Sequence, residues 1–310
     1  MKIDKSLGCI YGLAIGDALG YPVEFFKNDE IKIKYEEKGV TDFTRTPALY
    51  SDDTQMSIAV ANALISSANA QKLNDLEYVM TEVSKEFVNW YKSPENTRAP
   101  GNACLSGCFR LKNGISWRES GNPNSKGCGS AMRTAPVGLV YCNDMENLRK
   151  VALATAQATH RHPTALAGAV GTAYLVASAL KDTNPECMAD RLLDLTALIS
   201  DEFAQKIMQV KKVLTLGPEK AFDVLGGGWV AEEAVAGALY CFLRNPRDYS
   251  NAVLTAVNFS GDRDSVACIT GAISGSYNGI SAIPKKWVNG IENSALLEDI
   301  AKKLCRNNER

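Results

Sequence analysis

The stretch Gly8-Cys9-Ile10-Tyr11-Gly12-Leu13-Ala14-Ile15-Gly16-Asp17-Ala18-Leu19-Gly20 decides how the fold of this chain is read. Its glycines recur every four residues, so a helix stacks Gly8, Gly12, Gly16 and Gly20 along one side. Glycine inside a helix costs roughly 1 kcal/mol per site relative to alanine. Four in register need compensation, by close approach of another helix or of a ligand, and tight helix packing is the plainer of the two. Gly20 also reads as a helix C-cap. Working outward, helical spacing persists. Met56, Ala59, Val60, Ala63 and Leu64 fit one buried helix face, and Val79, Val83, Phe87 and Trp90 repeat it within Leu76 to Trp90. The stretches 164–180, 230–243, 265–274 and 287–304 do the same. Runs of β-branched residues are short, as at Val137 to Tyr141, and the Gly/Pro-rich segments 92–102 and 119–130 read as loops. The expectation is an all-α, compact, single-domain fold spanning 1–310.

Composition narrows the function classes. With 310 residues, 34 Lys+Arg against 35 Asp+Glu and a net charge of −1, the chain is an ordinary globular one with enough length for a large core. It is neither disordered nor collagen-like nor a small disulfide scaffold, and it lacks the basic surplus of a nucleic-acid binder. The nine cysteines are odd in number and include no Cys-x-x-Cys, which reads as free thiols in a reducing cytoplasm. Only two histidines occur, His160 and His162, so zinc sites of the His-Glu-x-x-His kind are absent. Lys2 and Lys5 before an apolar stretch imitate a signal peptide, but Asp17 and the glycines interrupt it. No run of about 18 apolar residues is read in the chain, so no membrane span is expected.

Two acidic clusters, far apart in sequence, carry the chemistry. Ser51-Asp52-Asp53-Thr54 precedes one helix, and Gly261-Asp262-Arg263-Asp264-Ser265 precedes another. Asp and Ser are favoured N-caps, so either cluster alone is explained by capping. Capping needs one such residue, however, and each place offers two carboxylates beside hydroxyls. Hard divalent cations want several oxygen ligands of this kind, and a helix N-terminus favours the ionised carboxylates that ligation requires. Asp262-x-Asp264 lacks the turn glycine of a calcium EF-hand. Gly127-Cys128-Gly129-Ser130-Ala131-Met132-Arg133 is a loop whose backbone N–H groups suit a phosphate, although it is neither a Walker A loop nor a dinucleotide fingerprint. In Thr159-His160-Arg161-His162-Pro163, Pro163 opens the next helix and leaves two histidines beside the break.

Together these motifs resemble the ADP-ribosylglycohydrolase family. The resemblance runs from Gly8 to about Trp287 through five motifs in order: Gly12 to Gly20 with Glu24, Ser51 to Met56, Gly127 to Arg133, Thr159 to Pro163, and Gly261 to Ser265. It implies an all-α domain with two divalent cations, Mg²⁺ or Mn²⁺, at the bottom of a cleft. Ser51, Asp52, Asp53, Asp262, Asp264 and Ser265 are the implied metal ligands. Glu24, Asp52, Asp53 and Asp264 are the implied catalytic group, with Glu24 as acid/base or ligand. Gly127, Gly129, Ser130, Ala131 and Met132 are expected at the diphosphate, His160 at the ribose ahead of His162, and Asn102 at a polar active-site position. Ser51 and Ser265 replace threonines of several relatives but keep the hydroxyl. Arg263 replaces a small polar residue and is expected to alter the charge of the rim, and Cys128 stands where asparagine is frequent.

The implied activity is metal-dependent hydrolysis at the anomeric ribose carbon, releasing ADP-ribose from an ADP-ribosylated protein or a small ADP-ribose conjugate. ADP-ribosylarginine is the favoured substrate; ADP-ribosylserine, O-acetyl-ADP-ribose and a toxin-neutralising, ADP-ribose-binding immunity protein are the alternatives. A two-metal phosphohydrolase would also use oxygen-rich ligands. Neither nucleic acid nor membrane is an expected partner, the expected location is cytoplasmic, and nothing fixes the oligomeric state. If residues near 24, 52 and 262 share metals, both ends of the chain belong to one core.

Overall fold

The computed structural model describes residues 2–307. Among them the helices in chain order are α1 (Lys2–Gly20), α2 (Asn28–Tyr35), α3 (Asp52–Asn69), α4 (Leu76–Lys92), α5 (Asn102–Lys112), α6 (Trp117–Ser120), α7 (Ala135–Val140), α8 (Met145–Gln157), α9 (Pro163–Leu180), α10 (Pro185–Thr196), α11 (Asp201–Val213), α12 (Pro218–Leu225), α13 (Ala231–Arg244), α14 (Tyr249–Val257), α15 (Arg263–Asn278), α16 (Lys285–Gly290) and α17 (Ser294–Asn307). Among the described residues no strand forms, only isolated bridges such as Asn122 with His160 and Gly127 with Val230. The fold is all-α.

The glycine stripe of α1 is answered by α15. A Cβ on Gly12 would stand 2.3 Å from the Gly271 carbonyl oxygen, and one on Gly271 would stand 2.0 Å from that of Gly12. The same holds for Gly8 against Gly275 O at 2.2 Å and Gly16 against Ala267 O at 2.1 Å. Backbone thus lies on backbone along most of both helices, and the propensity lost at four glycines is offset by close packing. Gly20 is not a left-handed cap: its φ and ψ are −80° and −41°, within the right-handed helical region. It is glycine because a Cβ there would fall 2.5 Å from the Asp264 Cα. The stripe therefore sets the distance between the end of α1 and the start of α15, where the acids stand.

One apolar cluster runs from Cys9 on α1 to Leu304 on α17. At its centre lies α9, most of whose residues are buried. By length and composition α9 is apolar enough to cross a membrane, which corrects the expectation that no such segment exists. Its threonines, glycines and serine break any strict apolar run, yet its mean hydropathy stays high. Neighbouring helices cover it, as they must a helix that is apolar all round.

The stretch 287–304 is not one helix. It divides into α16 and α17 around Asn293, which has a positive φ of 52°. The break serves a tertiary contact: Ala48 N–H donates to Gly290 O at 2.7 Å and Glu292 N–H to Ala48 O at 3.0 Å. The Glu292 carboxylate also pairs with Arg98 and accepts the Tyr50 N–H at 3.0 Å. Val137 to Val140, the β-branched run, is helical in α7. All nine cysteines are free thiols.

Candidate active site

Seven separate stretches of the chain converge on one cavity of about 260 Å³. Its walls include Glu24, Asp52, Asp53, Asp262, Asp264 and Ser265 on one side, and Gly127, Gly129, Met132 and His160 on another, with Asn102 and Trp229 at its margin. Carboxylate oxygens of Glu24, Asp262 and Asp264 lie within 4.8 Å of one another.

Local rules place each acid. Ser51 caps α3, its Oγ accepting the Asp53 N–H at 3.2 Å, so Asp52 and Asp53 occupy the first turn. The Asp52 carboxylate accepts the Gly101 N–H at 3.3 Å. Asp262 caps α15 by accepting the Ser265 N–H at 3.3 Å, and Asp264 accepts the same N–H at 3.0 Å. Glu24 follows the short 3₁₀ turn Tyr21–Val23 that ends α1.

Asp17, read from sequence only as an interruption, organises the first cluster. Fully buried, it accepts the Ser51 N–H at 2.9 Å, the Thr54 N–H at 3.0 Å and the Thr54 hydroxyl. The signal was present as an acid on an otherwise apolar face, but only the tertiary structure supplies its donors. In Asp17→Asn the new amide donor opposes backbone donors. We expect a loss of about 2–3 kcal/mol and roughly 10–100-fold weaker metal binding, read by denaturant melts and calorimetry; a variant as stable and as avid as the parent would remove Asp17 from this role.

The second cluster also has a support that sequence reading missed. The Asp262 N–H donates to Gly227 O at 2.7 Å, and a Cβ on Gly228 would strike Val266 at 2.7 Å. The run Gly226-Gly227-Gly228 was the visible signal. Trp229 follows it, its carbonyl accepting the Cys128 N–H at 3.2 Å, and its ring stacks on Phe25 with centroids 6.0 Å apart at 16°. These two aromatic rings join the Glu24 side of the cavity mouth to the glycine-loop side.

Several expected residues lie elsewhere. Ser51 is wholly buried behind Asp53 and does not line the cavity. Ser130 points into the core, its hydroxyl donating to Ala165 O at 2.9 Å, and Ala131 is buried beside it; neither lines the cavity. His162 is the N-cap of α9, accepting the Thr164 N–H at 3.2 Å, whereas His160 faces the cavity. Arg263 does not charge the rim: it is buried and donates to Phe26 O at 2.7 Å. Cys128 points its thiol at the acids, 2.9 Å from an Asp262 oxygen.

The electrostatics follow from burial and crowding. Desolvation, then the charges of Asp262 and Asp52, pushes Glu24 up to about 8. Burial, aided by Asp17 and Asp262, raises Asp52 to about 8. Burial raises Asp53 and Asp264 well above the usual carboxylate range and raises Asp262 as well. Desolvation lifts Asp17 to about 6. Like charges at this spacing take up protons unless cations intervene. Among the described residues, Glu24 Oε2 and Asp53 Oδ2 are buried without a hydrogen-bond partner. An all-oxygen donor set with orphaned carboxylate oxygens fits a hard divalent ion.

A pH dependence follows. Each raised acid holds its proton in the native state when the unfolded chain has lost it. Stability is therefore greatest at the acid end and is lost as pH rises through about 6 to 8. Melting in chelator should show this fall, and Mn²⁺ should reverse it by displacing protons, more strongly as pH rises. A chelated protein whose melting temperature climbs across that window would contradict the assignment.

The sequence model of the ADP-ribosylglycohydrolase family matches residues 1–310. A protein of Archaeoglobus fulgidus is 31% identical over 97% of this chain and 96% of its own length. The ADP-ribosylarginine hydrolase Tri1 of Serratia proteamaculans is 25% identical over 98% of this chain and 79% of its own. A solved structure titled ADP-ribosylglycohydrolase-related protein complex superimposes with a TM-score of 0.70 at 25% identity, covering 99% of both chains.

Proposed function

This chain belongs to the ADP-ribosylglycohydrolase family and is a glycohydrolase, and from that premise we propose that it removes ADP-ribose from arginine of modified proteins with the help of two divalent cations, Mg²⁺ or Mn²⁺. One observation carries the proposal: acids from the turn after α1, from α3 and from the start of α15, two with orphaned oxygens, meet on the same cavity as a glycine loop and a buried histidine. The Tri1 relative is named as an ADP-ribosylarginine hydrolase, which supports the arginine linkage.

In this reading Asp52, Asp53, Asp262, Asp264 and Ser265 hold the ions, while Ser51, buried away from the cavity, fixes the first two acids as the cap of α3. Cations bound there would supply charge that orients ribose hydroxyls and eases deprotonation of an attacking water. Glu24, raised to about 8, can carry a proton at neutral pH and give it to the leaving nitrogen, or take one from water once cations lower its proton affinity. Gly127 and Gly129 offer backbone to the diphosphate and Met132 lines the same wall, its own N–H being taken by Cys128 O at 3.1 Å, and His160 and Asn102 face the ribose. Ser130 acts from behind, its hydroxyl tying the loop to α9, and the Ala131 N–H closes the turn onto Cys128 O at 2.7 Å.

The test is a substrate panel: proteins ADP-ribosylated on arginine, serine or cysteine, and O-acetyl-ADP-ribose, each with Mg²⁺, Mn²⁺ or chelator. We expect intact ADP-ribose from the arginine conjugate, lost in chelator. Release from another conjugate alone would change the linkage, and release of phosphate or AMP would mark a phosphohydrolase.

A further inference from the structure

Behind the glycine loop lies a buried chain of hydrogen bonds. The Arg133 side chain is fully buried, its guanidinium 4.7 Å from the Phe87 ring centre. It donates to Gly129 O at 2.8 Å, to Thr155 O at 2.9 Å and to Thr159 Oγ1 at 2.7 Å. Thr159 Oγ1 in turn lies 2.7 Å from His160 Nδ1. His160 Nε2 has no hydrogen-bond partner among the described residues and faces the cavity. A Cβ on Gly127 or Gly129 would come within 3.3 or 3.5 Å of it.

We infer that Arg133 and Thr159 set the tautomer of His160, so that its ring presents Nε2–H as a fixed hydrogen-bond donor to an oxygen of bound ADP-ribose. The proton count allows one arrangement. A guanidinium only donates, so Thr159 Oγ1 accepts from Arg133. The single Thr159 proton then needs an acceptor, and among the described residues the one in reach is Nδ1. The reverse bond, from Nδ1–H to Thr159, would leave a buried hydroxyl proton unpaired, at a cost of about 1–3 kcal/mol. With Nδ1 accepting, the neutral ring carries its proton on Nε2. Burial and the nearby Arg133 charge depress the His160 pKa to about 3, which keeps the ring neutral. Two consequences follow for the cavity. The donor is supplied without a formal charge that would repel the cations, and the same Arg133 that orders the ring also clamps Gly129, so loop and donor are held in one frame. Thr159 and Arg133 are positioning residues, and His160 is the group that touches substrate.

That His160 meets ADP-ribose rests on the function proposed above; the tautomer does not. The full chain labelled with ¹⁵N-histidine contains two rings, and His162→Gln assigns them. We expect the His160 ring as the Nε2–H form. Thr159→Val keeps the shape and removes the hydroxyl; it should mix the tautomers and weaken ADP-ribose binding, measured by calorimetry with Mg²⁺, about tenfold, and Thr159→Ser should restore both. An Nδ1–H ring in the parent protein overturns the inference, as does a Thr159→Val protein with an unchanged spectrum and affinity, or a Thr159→Ser protein that fails to restore the ring. If Thr159→Val does not fold, the parent and Thr159→Ser spectra decide. A parent with the Nε2–H ring that ignores ADP-ribose refutes the functional reading and leaves the tautomer standing.

Discussion

Asp264→Asn is expected to fold normally and to lose metal-dependent hydrolysis by about 10³-fold or more, roughly 4 kcal/mol of transition-state stabilisation. The two halves of this expectation have different causes. Without cations, burial and the charges of Asp53 and Asp262 keep the Asp264 carboxyl protonated far above its usual range. An asparagine has nearly the shape of that protonated acid, and its carbonyl can still accept the Ser265 N–H now held at 3.0 Å. The metal-free fold is therefore undisturbed. What changes is the donor set: a neutral amide replaces an anion within 4.8 Å of the Glu24 and Asp262 oxygens. Melting curves separate the effects. The parent should gain stability with Mn²⁺ by mass action, about 2.7 kcal/mol at a hundredfold excess over Kd, and the variant should gain little. A variant that keeps both activity and stabilisation would exclude Asp264 from the centre.

Gly12→Ala should be more damaging to the fold than most core substitutions, although alanine is the better helix former by about 1 kcal/mol. The added methyl would lie 2.3 Å from the Gly271 carbonyl oxygen and 3.0 Å from its carbon. Both belong to backbone, so no side chain can turn aside, and α1 must move off α15. We expect a loss of about 4 kcal/mol or more, or failure to accumulate folded protein. Gly217→Ala is the control, because its Cβ would meet nothing within 4 Å. Activity should fall with the fold, since the same helix pair brings Glu24 to Asp264. Equal stability of the two variants would mean that the backbones of α1 and α15 are not in contact at Gly12.

The helical class was legible because apolar residues repeat at helical spacing, and the four glycines of α1 announced a close neighbour. They could not name it. Gly271 lies more than two hundred residues away, and spacing along a chain does not encode which helix returns. The acids were legible as clusters for the same local reason, two carboxylates where one cap would do. The orientation of single side chains was not. Ser130 and Arg263 look like loop residues in the sequence, but both turn inward to satisfy backbone carbonyls. Asp17 carries no local signature of its task, because its donors come from the start of α3. The division of α16 from α17 was hidden because it satisfies Ala48, a partner distant in sequence.

The central claim is that acids from the two ends of the chain hold a pair of cations over the sugar. Manganese titration followed by electron paramagnetic resonance tests it most directly. The account predicts two Mn²⁺ per chain with the spectrum of a magnetically interacting pair, abolished in Asp264→Asn and perturbed by ADP-ribose. Isolated single ions, or binding indifferent to that substitution, would contradict it.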